Sequence, residues 1–386
     1  MRRLRLLGVP GAVALIAALC AGCGSQPAAA GASASSPGAA PALSLAGSEA
    51  TGQAAWAELP MGADSGPNQF WQLFSRTGDR SWVLATPPDV ATNAAPALGG
   101  LSGASLVAGL RPSEHLAFSP VTRTSDGGQH WSAGPPAQAL ASVPDALAAT
   151  AGGGQLLALS RSGQVSSATS AASAGWMKLV TVRALAATAA GRRCGLLRLT
   201  AVAYSRSADP MLAGDCGRPG LAGIFERAGA TWHAAGPSLP ASLASDRLQV
   251  LRLLTSTSGS TALLRADGRS GSELIAAWQS QDGRWSVSPA LNLSESALRT
   301  TAFGPAGSVA VVLSGGRAAI LAGSGGAWRQ PPRLPAGRDV TIALPDRGHA
   351  YALAPAAGTL TIWRLAGRSW VKAQTIKVPI QYGSSS

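Results

Sequence analysis

Thr124-Ser125-Asp126-Gly127-Gly128-Gln129-His130-Trp131 is the stretch whose reading decides the fold. Its residue types are those of a tight hairpin. A short Asp side chain turns back onto free backbone N–H groups. Gly127 and Gly128 supply the positive φ that a reversal needs. Trp131 then opens the next strand with a large ring to bury. Thr124, Asp126, Gly128 and Trp131 are therefore expected to be structural, not catalytic.

Weaker copies recur downstream. Trp82, Trp131, Trp176, Trp232, Trp285, Trp328 and Trp370 are spaced 49, 45, 56, 53, 43 and 42 residues apart, each with a Gly in the four preceding positions. Ser280-Gln281-Asp282-Gly283-Arg284-Trp285 keeps the Asp, whereas the copies before Trp328 and Trp370 keep only turn and ring. A second register agrees: Phe225, Trp278, Leu321 and Trp363 lie seven residues before their repeat Trp, where the preceding strand should bury a side chain. A period near 45 residues is the size of one propeller blade.

The full octet resembles the Asp box (Ser/Thr-x-Asp-x-Gly-x-x-Trp) of BNR-repeat β-propellers, in which the box joins the third and fourth strands of a blade. That resemblance implies an all-β, seven-bladed propeller, with six blades plus an N-terminal strand as the alternative. Short β-type runs agree, among them Gln155 to Ser160, Ser260 to Arg265, Ser308 to Ser314, His349 to Ala354 and Gly358 to Arg364. The first blade has only Ala54 to Pro87 available, and Lys377 to Tyr382 is expected to supply its missing strand.

The chain begins with Arg2, Arg3 and Arg5, then an apolar run from Leu6 to Leu19 and Cys20-Ala21-Gly22-Cys23. That is the form of a secretory signal, too short for a spanning helix. Small residues before Cys23 resemble a bacterial lipobox, with Cys20 where Leu is usual. Residues 1–22 are thus expected to be a lipoprotein signal, and Cys23 the lipid-attachment site of an anchored, extracytoplasmic protein. Residues 23–50, rich in Gly, Ser, Ala and Pro, read as the lipidated Cys and a flexible linker with an r.m.s. reach of about 30 Å. The propeller is assigned 51–386.

The formal charge of +13 falls to +10 without the three signal arginines and favours anionic partners. Heavy Ala, Gly and Arg usage is that of a GC-rich, actinobacterial-type genome. No basic run with interleaved aromatics occurs, so nucleic acid is disfavoured. Outside the leader, Cys194 and Cys216 remain and are expected to form a disulfide.

Asp-box propellers include sialidases. The resemblance would require three arginines, a Tyr–Glu pair, an acid/base and an N-terminal Phe/Tyr-Arg-Ile-Pro motif. The motif is absent, and only Tyr204, Tyr351 and Tyr382 are available. His115, His130, His233 and His349 have no zinc spacing, so no metal or cofactor is expected. Ser369-Trp370-Val371-Lys372 falls on a repeat turn, and Asn292-Leu293-Ser294 is a sequon by letters only. A monomeric binding or assembly scaffold for a protein or anionic envelope polymer is the expected function, with a glycan-processing hydrolase as the alternative. The propellers of photosystem II assembly factors are similar in their repeat alone. The longer units ending at Trp232 and Trp285 are the first place to look for a site, and Arg192, Arg193, Arg206 and Arg218 in the former are candidates for a basic patch.

Overall fold

A computed structural model describes residues 47–379, apart from 62–69, 88–89, 91–94, 111–120, 134–139, 141–142, 151–152, 170–174, 257–258, 294–295, 336–338 and 357. The expected signal, and Cys23, lie outside these residues. Everything below concerns the unit that contains them.

The strands run in antiparallel meanders. The first is β1 (Gly47–Ala50), β2 (Ala54–Met61), β3 (Phe70–Thr77) and β4 (Val83–Leu84). The second is β5 (Ala97–Ser102), β6 (Ser105–Gly109), β7 (Val121–Thr124) and β8 (Ser132–Ala133). The third is β9 (Ala146–Ala149), β10 (Gln155–Leu159), β11 (Gln164–Thr169) and β12 (Met177–Thr181). Helices α1 (Val182–Ala186) and α2 (Ala189–Cys194) lead to the fourth: β13 (Leu196–Tyr204), β14 (Pro210–Cys216), β15 (Gly223–Ala228) and β16 (Thr231–Ala234). The fifth is β17 (Arg247–Ser256), β18 (Gly259–Gly268), β19 (Gly271–Gln279) and β20 (Trp285–Val287), with β21 (Leu291–Asn292) also on β19. The sixth is β22 (Leu298–Phe303), β23 (Val309–Leu313) and β24 (Arg317–Leu321), followed by a single bridge from Ile320 to Arg329. The last is β25 (Thr341–Ala343), β26 (Tyr351–Ala356), β27 (Thr359–Ala366) and β28 (Ser369–Lys377).

β23 is apolar along its whole length because both of its faces are covered, whereas outer strands such as β28 are polar and largely exposed. In β23, Val309, Val311 and Leu313 pack toward the fifth meander, while Ala310 and Val312 pack toward the last. The same holds elsewhere: one apolar cluster lies between each meander and the next, and another joins Ala343, Tyr351 and Ile362 of the last to Ala57, Phe74 and Trp82 of the first. Each repeat Trp belongs to, or packs against, the cluster that its meander shares with the preceding one. Trp131 meets the first–second cluster, Trp285 the fourth–fifth, and Trp82 the last–first.

Two expectations about the first meander need correction. Its missing strand is β1, not the C-terminal segment, since β28 ends at Lys377 on β27. The four residues 47–50 assigned to the linker are therefore a buried strand, antiparallel to β2 and parallel to β22. Smallness, which gave this stretch the composition of a linker, is what the position requires. A Cβ on Gly47 would lie 2.0 Å from Nη1 of Arg252. Residues 380–382 are outside the described part.

The extra length before Trp232 and Trp285 is also explained. It comes from α1 and α2 and from the long β17, β18 and β19. Thr181 and Thr188 cap the two helices by accepting the amides of Ala184 and Gly191.

Candidate binding face

The octet closes the β7–β8 turn with its polar groups turned inward. Thr124 Oγ1 donates to Asp126 Oδ1 (2.8 Å) and accepts the Gly128 amide (3.0 Å). The amides of Gln129 and His130 both donate to Asp126 Oδ1 at 3.0 Å, and His130 Nδ1 lies 2.6 Å from Oδ2. These bonds, the His130 amide first, hold the Asp126 carboxyl well below the usual carboxylate range. Gly127 and Gly128 have φ of 78° and 87°. A Cβ on Gly128 would come 2.6 Å from Cβ of Ala85 in the neighbouring meander.

Sequence reasoning did not anticipate what the repeat tryptophans do with their indole N–H. Trp131 donates to the Ala85 carbonyl (2.9 Å), Trp285 to Ala235 (2.7 Å), Trp328 to Pro289 (2.9 Å) and Trp370 to Pro332 (2.9 Å). Each bond crosses to the preceding meander. The periodic spacing of the rings was the available signal; the carbonyl partners, 38 to 50 residues upstream, carry no side-chain signature. Phe225, Trp278 and Leu321 of the second register are buried as expected, while Trp363 is half-buried.

Cys194 and Cys216 are disulfide-bonded, tying the end of α2 to the end of β14. The Gly217 and Arg218 amides donate to the carbonyls of Gly195 and Cys194 beside it. Gly195, with φ 65°, provides the left-handed C-cap of α2. Arg192, Arg193 and Arg218 all sit at this end of the strands. Arg206 does not: it lies in the β13–β14 turn, at the opposite end.

The fifth meander extends the same surface. The Gly220 amide donates to the Asp246 carbonyl (2.9 Å), bringing the β14–β15 turn against the start of β17. Arg183, Arg192, Arg193, Arg218, Arg247 and Arg269 are exposed there. The nearby acids are engaged instead. Asp215 pairs with Arg198, and Asp267 Oδ1 accepts from Arg265 Nε (2.8 Å). Burial raises the Asp215 carboxyl from its ordinary value, while Arg198 and Arg247 oppose that rise. The Asp246 carboxylate, beside Arg247, accepts only from Ser245 Oγ (3.3 Å), so the six exposed guanidiniums outnumber the acids that face them and make this end basic.

A second charged group lies inside. Register places Glu49 opposite Trp56 on β2, so Glu58 projects from the same face one step along. Both glutamates are buried at 5% exposure. Arg252 pairs with Glu49, donates to Thr301 Oγ1 (3.2 Å) and stacks 5.3 Å from the Phe303 ring. Burial raises both carboxyls, Glu58 well above its ordinary value, and Arg252 opposes the rise at each. Sequence alone could not pair these acids, because Glu49 lay in the stretch assigned to the linker. Their enclosure withholds them from a substrate, so they are not a glycosidase pair of the open-cleft type.

At the opposite end, a groove of about 440 Å³ runs between the fourth and fifth meanders, lined by Asp209, Glu226, Arg227, His233, Gln279 and Trp285 among others. Among the described residues, no three His, Cys, Asp or Glu side chains are placed to hold a metal.

No family model and no curated protein matches the chain. Among solved structures, the β-propeller domain of Cps50 (Swd1) from Myceliophteria thermophila is similar, with 13% identity and a TM-score of 0.52, over 83% of this chain and 97% of that one. The fold is a β-propeller. YCF48 from Cyanidioschyzon merolae aligns at 14% identity and TM-score 0.47, over 80% of this chain and 91% of that one. A GH74 xyloglucanase from Xanthomonas campestris aligns at 14% and 0.48, over 83% of this chain and 51% of that one. At such identities the likeness concerns the fold alone.

Proposed function

We propose that this protein is a non-enzymatic binding scaffold, a seven-bladed BNR-like propeller held by a lipid on Cys23 at the outer face of the cytoplasmic membrane. The blade count is supported by the cyclic order of the apolar clusters, in which every meander has two neighbours and the last returns to the first. The Asp-box reading is supported by two turns with the same plan, Thr124 to Trp131 and Ser280 to Trp285. In both, the hydroxyl and carboxylate bond each other and the indole N–H reaches back one meander.

The observation that carries the function is the arginine end. Exposed guanidiniums lie in or beside the α1–α2, β14–β15, β16–β17 and β18–β19 connections, and two of the acids at this end, Asp215 and Asp267, are paired with Arg198 and Arg265. Such a surface selects an anionic partner, either a protein or an envelope polymer. Connections of this kind are where propellers place recognition.

The test is to incubate the purified protein with anionic envelope polymer and with a panel of glycans across a salt series. Salt-sensitive binding without release of reducing ends is expected. Sugar release that copurifies with the folded protein and saturates with glycan would replace this reading with a hydrolase.

A further inference from the structure

The direction in which the chain enters the ring has a consequence for what the arginine end meets. Trp278, opposite Thr261 close to the β17–β18 turn, donates its indole N–H to the Gly307 carbonyl in the β22–β23 turn (2.6 Å). The ends of β17 and β22 are thus neighbours, and the two strands run in the same sense. β1 is parallel to β22, with Gly47 opposite Thr301 and Glu49 opposite Phe303. β1 therefore begins, at Gly47, at the end at which β17 starts, which is the end bearing Arg218, Arg247 and Arg269.

We infer that the arginine end is a membrane-facing surface that docks on anionic phospholipid headgroups. This rests on the proposed anchor at Cys23. A lipid on Cys23 would hold the end at which β1 begins within reach of the bilayer, and the charge of that end then decides whether it docks. Guanidiniums near an anionic bilayer are attracted to it within a Debye length. Leu197, 61% exposed, stands at the start of β13 among these arginines, and a Cβ on Gly217 would lie 3.5 Å from it. An exposed apolar side chain on a basic end suits the boundary between headgroup and acyl chain. A soluble polyanion would gain nothing from that leucine. The groove at the opposite end, lined by Glu226, His233 and Trp285, is then left facing away from the membrane.

The experiment is hydrogen exchange on the lipidated protein reconstituted on vesicles of phosphatidylcholine alone or mixed equally with phosphatidylglycerol. Amides of 217–222 and 268–271 should exchange about tenfold more slowly on the anionic vesicles. The difference should vanish at about 0.5 M salt. Amides of the 205–209 and 280–284 turns, at the other end, should not change. The triple variant R218E/R247E/R269E, at exposed positions, should lose the difference while staying on the vesicles through its lipid. Equal exchange on both lipids, or protection at 205–209 and 280–284 instead, would overturn the inference. Failure of the protein to remain on phosphatidylcholine vesicles at all would instead sink the anchor, a distinct result.

Discussion

Trp82 and Gln374, 292 residues apart, exchange a reciprocal pair of hydrogen bonds: the Trp82 amide donates to Gln374 Oε1 (3.0 Å), and Gln374 Nε2 donates to the Trp82 carbonyl (2.8 Å). They fasten β28 of the last meander to the entry of β4 in the first. Ser48 Oγ makes a parallel fastening inside, donating to the Ile342 carbonyl (2.8 Å). The first and last meanders are thus joined at both their inner and outer strands.

Removing the outer fastening leaves two backbone groups without partners. Gln374→Ala should lower stability by about 2 kcal/mol, from two lost bonds at roughly 1 kcal/mol each. Trp131→Phe, which keeps the ring but strands the Ala85 carbonyl, should cost about 1 kcal/mol. Urea unfolding at neutral pH measures both. Wild-type midpoints would show that these bonds only decorate the packing.

The disulfide acts on the unfolded chain as well as on the fold. Closing a loop of 22 residues restricts the denatured state by about 3 kcal/mol. A Cys194→Ser/Cys216→Ser double variant should lose that amount. Recovery of both as free thiols in non-reducing peptide maps of the purified protein would refute the bond.

The inner glutamates give opposite predictions. Burial raises Glu58 well above its ordinary 4.5, so the folded state favours the protonated acid. Its contribution is complete below the unfolded value and is lost as pH rises through the folded value. Glu58→Gln should therefore raise Tm at pH 8 and flatten the pH profile above pH 4.5. Glu49→Gln would take the ion-pair partner from half-buried Arg252, which keeps Thr301 Oγ1, and should destabilise by about 1–2 kcal/mol. Identical pH profiles for wild type and Glu58→Gln would contradict this account of the cluster.

The anchor is tested by the mass of the mature N-terminus. A lipid increment on Cys23, lost in Cys23→Ala, is expected. An N-terminus at or beyond Gly24 without lipid would exclude it.

Much of this fold was legible because a bulky ring at a fixed interval leaves a mark that composition cannot hide. The seven tryptophans located the entry to each outer strand, and the runs His349 to Ala354 and Gly358 to Arg364 fall on β26 and β27. β1 was hidden for the reverse reason. Gly47, Ser48 and Ala50 are small because Arg252 and the neighbouring inner strands leave no room, and small residues near the axis look like linker. The arginine end was half legible. Arg192, Arg193 and Arg218 could be guessed from their closeness to the cysteines. Arg247 and Arg269 join them only once the fifth meander is set beside the fourth, and Arg206 leaves for the opposite end because strand direction, not sequence distance, decides the face.

The measurement that bears most directly on the central claim, that this protein works by binding, is photo-crosslinking in intact cells from single positions at the two ends of the ring. Discrete adducts from positions at the ring ends, with none from the outer edge at Val83 or Val371, and no glycan turnover by the purified protein, are predicted. Adducts from no position, together with catalytic release of sugar from envelope glycan, would contradict it.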